Sequence, residues 1–76
     1  MVVRNRVRAV RERRGFTQEQ LGHRVGLARQ SIISIEKGRF LPTIDTALRL
    51  SHALGVPIGK VFWLEDKREE KLVDTT

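Results

Sequence analysis

Residues 17–37 read TQEQLGHRVGLARQSIISIEK, and this stretch decides the fold. Thr17 is placed to cap a helix, because its hydroxyl can accept a hydrogen bond from a first-turn N–H. Gln20, three residues on, completes a capping box. Leu21 and Val25, four residues apart, form the buried stripe of this helix. The pattern predicts a short helix that begins at Thr17.

A second helix follows almost at once, from about Arg29 to Lys37, with Ile32 and Ile35 on its buried face. Only residues 26–28 separate the two helices, and so short a turn makes them cross steeply, as in a helix-turn-helix. Gly26 suits the positive φ that is required where the chain reverses. The sequence therefore predicts a helix-turn-helix over residues 17–37.

Apolar periodicity and capping residues predict a helix on either side of this unit. The preceding helix runs from Arg6 to Arg14, with Asn5 as its N-cap and Gly15 as its C′ residue. The following helix runs from the capping residue Thr43 to Leu54 and ends at a glycine. Its apolar positions are Ile44, Ala47, Leu48, Leu50 and Leu54.

A fifth helix is predicted from Ile58 to Phe62, because Pro57 is suited to a first turn. Val2-Val3-Arg4 is too short for a helix and is consistent with an edge strand. We therefore expect an all-α, five-helix bundle in one domain, residues 1–65, followed by a charged tail, residues 66–76.

Charge indicates the class of partner. The 76-residue chain carries 15 basic and 9 acidic residues, a net charge of +6. Residues 61–76 carry three basic and five acidic residues, so residues 1–60 carry +8. The positive charge of residues 1–60 favours a phosphate-rich partner. A charged surface, however, also keeps a small domain in solution.

Other features exclude several classes of protein and site. The chain has no cysteine, which excludes disulfides and thiolate metal sites and fits the reducing cytoplasm. No apolar stretch is long enough to span a membrane, and the N-terminus lacks the apolar core of a signal peptide. His23 and His52 are isolated, and the chain has no phosphate-binding glycine loop. We expect a cytoplasmic protein that is not an enzyme and has no metal or cofactor.

The sequence carries a family resemblance in FTQEQLGHRVG, residues 16–26, continued by ARQSIISIEKG, residues 28–38. These segments closely resemble the Cro/repressor (Xre-like) family, and the resemblance extends over roughly residues 4–64. It implies a five-helix fold whose third helix enters the major groove of a palindromic operator, usually as a homodimer. In the most compact members both termini pair as a small antiparallel sheet.

Two positions depart from the family pattern. Ala28 stands where the family commonly has Ser or Thr, which removes a helix-capping hydroxyl worth about 1 kcal/mol. Gly22 stands where Ala is more usual, which loosens the helix slightly but permits close approach of the next one. Neither change alters the expected fold.

The resemblance also implies which residues contact DNA. Five positions of the third helix would read bases: Arg29, Gln30, Ser31, Ile33 and Ser34. Ile33 could instead pack against helix four or a dimer partner, and Ser34 could simply be solvated. Phosphates would be bound by Thr17, Gln18, Arg14, Lys37 and Arg39, although each cation could individually be only a solvated charge.

Two further sets have structural roles. Arg11 and Glu36 match a family pair that joins the first helix to the end of the recognition helix as a structural ion pair. Apolar segments at both ends of the bundle are expected to form a dimer seam: Val2, Val3, Phe62, Trp63 and Leu64. Alternatively, Trp63 only covers the bottom of the core.

The resulting hypothesis is a prokaryotic or phage repressor that binds double-stranded operator DNA as a homodimer and occludes a promoter. The competing hypothesis is an antitoxin or adaptor whose main partner is another protein and which binds DNA to regulate its own synthesis. The hydrogen-bonding groups on the third helix favour the first. RNA binding is disfavoured because an aromatic stacking platform is missing.

Overall fold

The computed structural model describes residues 1–66 as a helical domain closed by a two-stranded sheet. In chain order the elements are β1 (Val2–Asn5), α1 (Val7–Arg14), α2 (Gln18–Val25), α3 (Arg29–Glu36), α4 (Ile44–Leu54), a 3₁₀ turn (Ile58–Lys60) and β2 (Phe62–Glu65). Only the first residue of the predicted charged tail, Asp66, lies within the described part, and the rest of the tail lies outside it.

The helix-turn-helix is confirmed together with the local chemistry that predicts it. Thr17 Oγ1 accepts from the Gln20 N–H at 3.0 Å, and Gln20 Oε1 accepts from the Thr17 N–H at 2.9 Å, which completes the capping box. Gly26 ends α2 with φ = +76°. Because a side chain strongly disfavours this conformation, glycine is the suitable residue for the turn.

Gly22 sets how closely α2 approaches the turn that leads into α3. A Cβ atom added here would lie 2.5 Å from the Leu27 carbonyl oxygen and 3.4 Å from Ile32 Cγ1. The Leu27 N–H donates to the Gly22 carbonyl at 2.8 Å, which holds the turn against the helix. The small residue at position 22 therefore allows the two helices to pack tightly.

One apolar core joins the four helices and Val61, the residue that follows the 3₁₀ turn. Its fully buried side chains are Val7, Leu21, Ile32, Ile35, Leu50, Leu54 and Val61. Not every apolar position predicted on α4 contributes to it, because Ile44 is 77% exposed and Leu48 is 51% exposed. Residues 47, 50 and 54 form the buried stripe, whereas Ile44 and Leu48 face outward.

The N-cap residue of α1 is Arg6, whose side chain makes no capping hydrogen bond. The preceding residue, Asn5, caps the helix instead. Asn5 Oδ1 accepts from the Val7 N–H at 3.0 Å, as a capping side chain would. Its amide group donates to the Ile35 carbonyl, also at 3.0 Å. Asn5 thus ties the end of β1 to both α1 and α3.

The predicted fifth helix, Ile58 to Phe62, is wrong. Only Ile58–Lys60 form a helical turn, of the 3₁₀ type, and β2 begins at Phe62. The strand is antiparallel to β1, with Asn5 opposite Phe62 and Val3 opposite Leu64. Since the backbone of residues 62–65 pairs with β1, it cannot also continue a helix. The terminal β-pair expected from the family resemblance is confirmed.

Candidate nucleic-acid interface

The exposed face of α3 carries the five predicted base-reading residues. Burial of Ile32 and Ile35 fixes the opposite face in the core. Arg29 and Gln30 are exposed in the first turn, and Ser31, Ile33 and Ser34 are half-buried. An eight-residue helix is about 12 Å long and 10–12 Å wide, dimensions that fit the ~12 Å width of a DNA major groove.

A shallow cleft connects the start of α2 to the recognition helix. It is lined by Arg8, Arg11, Thr17, Gln18, Glu19 and Arg29. The N-terminal N–H groups of a helix and nearby guanidinium groups both favour an anion. Arg8 is not among the phosphate-binding residues expected from the sequence, although it lies three residues before Arg11 and hence on the same side of α1.

The phosphate-binding candidates do not all line this cleft. Thr17 and Gln18 do, whereas the Arg14 guanidinium donates to the Gly55 carbonyl at 3.3 Å, beside the end of α4. Lys37 and Arg39 are exposed in the turn after α3. The Arg39 N–H donates to the Ser34 carbonyl at 2.9 Å, which holds that turn against the recognition helix.

A buried polar network joins α1, α2 and α3. Arg11 Nε donates to Glu36 Oε2 at 2.7 Å, and the two side chains are only 9% and 4% exposed. Arg11 Nη1 also donates to the Phe16 carbonyl at 2.8 Å. Gln18 Nε2 donates to Glu36 Oε1 at 3.1 Å. The network therefore links the end of α3 to α1 and to the start of α2, and it uses one of the two amide hydrogens of Gln18.

These features match a known family. The HTH_3 helix-turn-helix family profile matches residues 7–61. The chain belongs to this helix-turn-helix family. It is accordingly a transcriptional regulator with a DNA-binding helix-turn-helix, and the family expected from the sequence is confirmed.

Relatives of this helix-turn-helix regulator include a bacterial HTH-type transcriptional regulator and a phage immunity repressor. The chain is 40% identical over 65 residues to the uncharacterized HTH-type transcriptional regulator YgzD of Bacillus subtilis, covering 86% of this chain and 98% of that protein. It is 33% identical over 61 residues to the immunity repressor protein of Bacillus phage phi105, covering 80% of this chain and 42% of the repressor.

A solved structure supports the same fold for the regulator. The restriction-modification controller protein C.AhdI from Aeromonas hydrophila superposes with a TM-score of 0.68 at 28% identity. The superposition covers 71% of this chain and 82% of the controller protein. Within residues 1–66, no helix of the regulator is long and apolar enough to cross a membrane.

The regulator's β-pair separates the residues of the expected dimer seam. Because side chains alternate along a strand, Val3, Phe62 and Leu64 lie on one face, and Val2 and Trp63 lie on the other. On the second face, the Arg6 guanidinium lies 4.8 Å from the centre of the Trp63 ring. The five residues therefore do not form one continuous flat surface.

An apolar groove lies beside the first of these faces. Its lining residues are Val3, Leu41, Pro42, Ile44, Ala47, Ile58 and Phe62. None of them is charged, although residues 1–60 carry a net +8. Of the lining residues, only Val3 and Phe62 belong to the dimer seam expected from the sequence, because the outward direction of Ile44 depends on how α4 packs.

Proposed function

We propose that this regulator is a repressor that binds a specific double-stranded operator as a homodimer and occludes a promoter. The observation that carries the proposal is the orientation of α3, whose apolar face is buried while Arg29 and Gln30 are exposed in its first turn. Such a regulator of prokaryotic or phage DNA would act in the cytoplasm.

Each proposed base reader has chemistry suited to a base edge. Arg29 can donate two hydrogen bonds to O6 and N7 of guanine, and Gln30 can bond adenine through N6 and N7. Ile33 offers an apolar contact for a thymine methyl group, and the hydroxyl groups of Ser31 and Ser34 can donate or accept. The third helix is therefore better suited to DNA than to an apolar protein surface.

We expect selection from a random pool of duplex DNA to enrich one half-site motif. Replacing a base reader, as in Arg29→Ala or Gln30→Ala, should weaken binding by about 5- to 150-fold for each half-site, equivalent to about 1–3 kcal/mol per bidentate contact. Each variant should lose preference at one base position, which a repeated selection would show.

Arg13→Ala is the matched control, because Arg13 is exposed on the far side of α1 from Arg11. It should leave the selected motif unchanged. If neither replacement on α3 alters the preference at any single position, the assignment of α3 as the recognition helix is wrong.

The apolar groove supports a second copy of the chain as its occupant. Leu41 and Ile44 are 61% and 77% exposed, so closure by a partner would remove substantial apolar surface from water. The groove lining has no charged residue. Two copies could therefore meet there with less charge repulsion than at the basic parts of the surface, since residues 1–60 carry a net +8. A two-fold dimer would present two copies of α3 about 34 Å apart to successive major grooves.

Ile44→Glu is expected to convert the protein to a monomer, because the new carboxylate would have to be desolvated in the closed interface. Analytical ultracentrifugation should report half the mass of the parent protein, and operator affinity should fall. His52→Glu places the same charge on the last turn of α4, outside the groove, and should remain dimeric.

The same measurement tests the competing adaptor hypothesis. If the parent protein is already a monomer at operator-binding concentrations, the homodimer proposal fails. The adaptor hypothesis, in which a different protein binds in the groove, is then favoured. Leu64→Ala and Trp63→Ala extend the test, because they alter opposite faces of the β-pair. Only the former should weaken a dimer that closes beside Val3 and Phe62.

A further inference from the structure

A second recess lies on the recognition helix itself. It is formed by Gln30, Ser31, Ser34 and Phe40 and has a volume of about 180 Å³. Three of these residues are proposed base readers, and the fourth, Phe40, comes from the turn after α3. Phe40 is 46% exposed, so nearly half of an aromatic side chain meets water at the surface that we propose contacts DNA.

The backbone of the turn explains why Phe40 lies there. Gly38 adopts φ = +75° directly after α3, and its N–H donates to the Ile35 carbonyl at 3.0 Å. The Arg39 N–H then donates to the Ser34 carbonyl at 2.9 Å, which folds the chain back along the helix. Two hydrogen bonds and a positive φ thus bring Phe40 to the recess.

The recess combines one apolar wall with hydrogen-bonding groups on the other side. Among the four bases, thymine presents a matching edge in the major groove, with the C5 methyl group beside the O4 acceptor. The Gln30 amide and the serine hydroxyl groups can donate to O4, while an aromatic ring can cover the methyl group. Cytosine lacks the methyl group and presents an amino donor instead.

We propose that Phe40 determines specificity for a thymine by contacting its C5 methyl group, with Gln30 and Ser34 at the adjacent O4. The inference rests on the proposed function, because it requires α3 to enter the major groove. It adds a residue outside the recognition helix to the base-reading surface. The recess is open to the surface, so a base edge can approach it from solvent.

The test replaces single thymines of the selected operator by uracil, which removes the methyl group and keeps the base pair and O4. For the parent protein, uracil at one position of a half-site should lower affinity about fourfold, the value of one buried methyl-sized group. With Phe40→Ala, thymine and uracil at that position should bind equally. Phe40→Leu should retain part of the difference.

Ile33→Ala is the matched control, because Ile33 is the other apolar side chain proposed to meet a thymine methyl on α3. In this variant the fourfold effect at the Phe40-dependent position should persist. Phe40 lies outside the core cluster, so thermal melting of Phe40→Ala should match that of the parent protein. Phe40→Leu provides the same comparison should the alanine variant fold poorly.

Two results would overturn the inference: replacing thymine by uracil lowers affinity at no position, or the full effect of uracil persists in Phe40→Ala (in Phe40→Leu, should the alanine variant fail to fold). Sensitivity that disappears in Ile33→Ala but not in Phe40→Ala would assign the methyl contact to Ile33 instead. If the random pool yields no preferred sequence, that result contradicts the proposed function itself. The two failures are therefore distinguishable.

Discussion

Raising the salt concentration from about 50 to 200 mM is expected to weaken operator binding by about 10³–10⁵-fold. Each phosphate that the protein neutralises releases condensed counterions, and added salt opposes that release. A dimer that contacts on the order of 6–10 phosphates produces an effect of this size. Fluorescence anisotropy of a labelled operator, measured across the salt range, would give the slope directly.

The distribution of charge supports this expectation. Residues 1–60 hold 12 basic and 4 acidic residues. Some of these cations have carboxylate partners, as in the exposed pairs Arg8–Glu12 and Arg49–Asp45. Such exposed pairs are worth at most about 1 kcal/mol, so they do not prevent an arginine from turning to a phosphate. Lys37 and Arg39 extend the basic surface beyond the end of α3.

A single-residue variant separates phosphate contacts from net charge. Lys37→Gln should reduce the salt slope by about one for each protomer and weaken all sequences alike. Arg13→Gln removes the same charge from the far side of α1 and should leave the slope nearly unchanged. A slope close to zero for the parent protein, or equal changes in the two variants, would contradict the proposed interface.

The features that residue spacing predicts correctly depend on residues close together in the chain. The Thr17–Gln20 capping box and the positive φ of Gly26 are local, so the helix-turn-helix could be located to within a residue or two. The approach of Arg11 to Glu36 was expected from the family resemblance instead, because 25 residues separate them along the chain. Gln18 joins the same carboxylate, but neither spacing nor resemblance indicated it.

The errors and omissions arise where packing between elements, or the hydrogen bonding of a turn, decides the structure. Pro57 is compatible with a helix start, but pairing of Phe62 with Asn5 diverts the chain into a strand after one 3₁₀ turn. Periodicity on α4 could not show that Ile44 faces outward, because nothing in the sequence indicates how much of that helix is covered. Phe40 reaches the recognition helix through a turn whose path depends on backbone hydrogen bonds to residues 34 and 35.

Arg11→Ala is expected to lower the free energy of unfolding by about 3–5 kcal/mol, the cost of breaking a buried ion pair by removing one partner. The Glu36 side chain is 4% exposed, so its carboxylate would remain buried with the Gln18 amide as its remaining side-chain partner among the contacts described above. The Phe16 carbonyl would also lose the hydrogen bond from Arg11. Urea-induced unfolding followed by circular dichroism measures the loss.

Arg13→Ala again serves as the control, and as an exposed substitution it should change stability by no more than about 0.5 kcal/mol. A domain of this kind has a total free energy of unfolding of about 5–15 kcal/mol. The loss expected for Arg11→Ala would therefore leave it marginally stable, whereas Arg13→Ala would leave it stable. Equal losses of melting temperature would refute the structural role of Arg11. A double variant, Arg11→Met with Glu36→Met, should lose less than the sum of the two single variants, because removing both charges leaves neither buried alone.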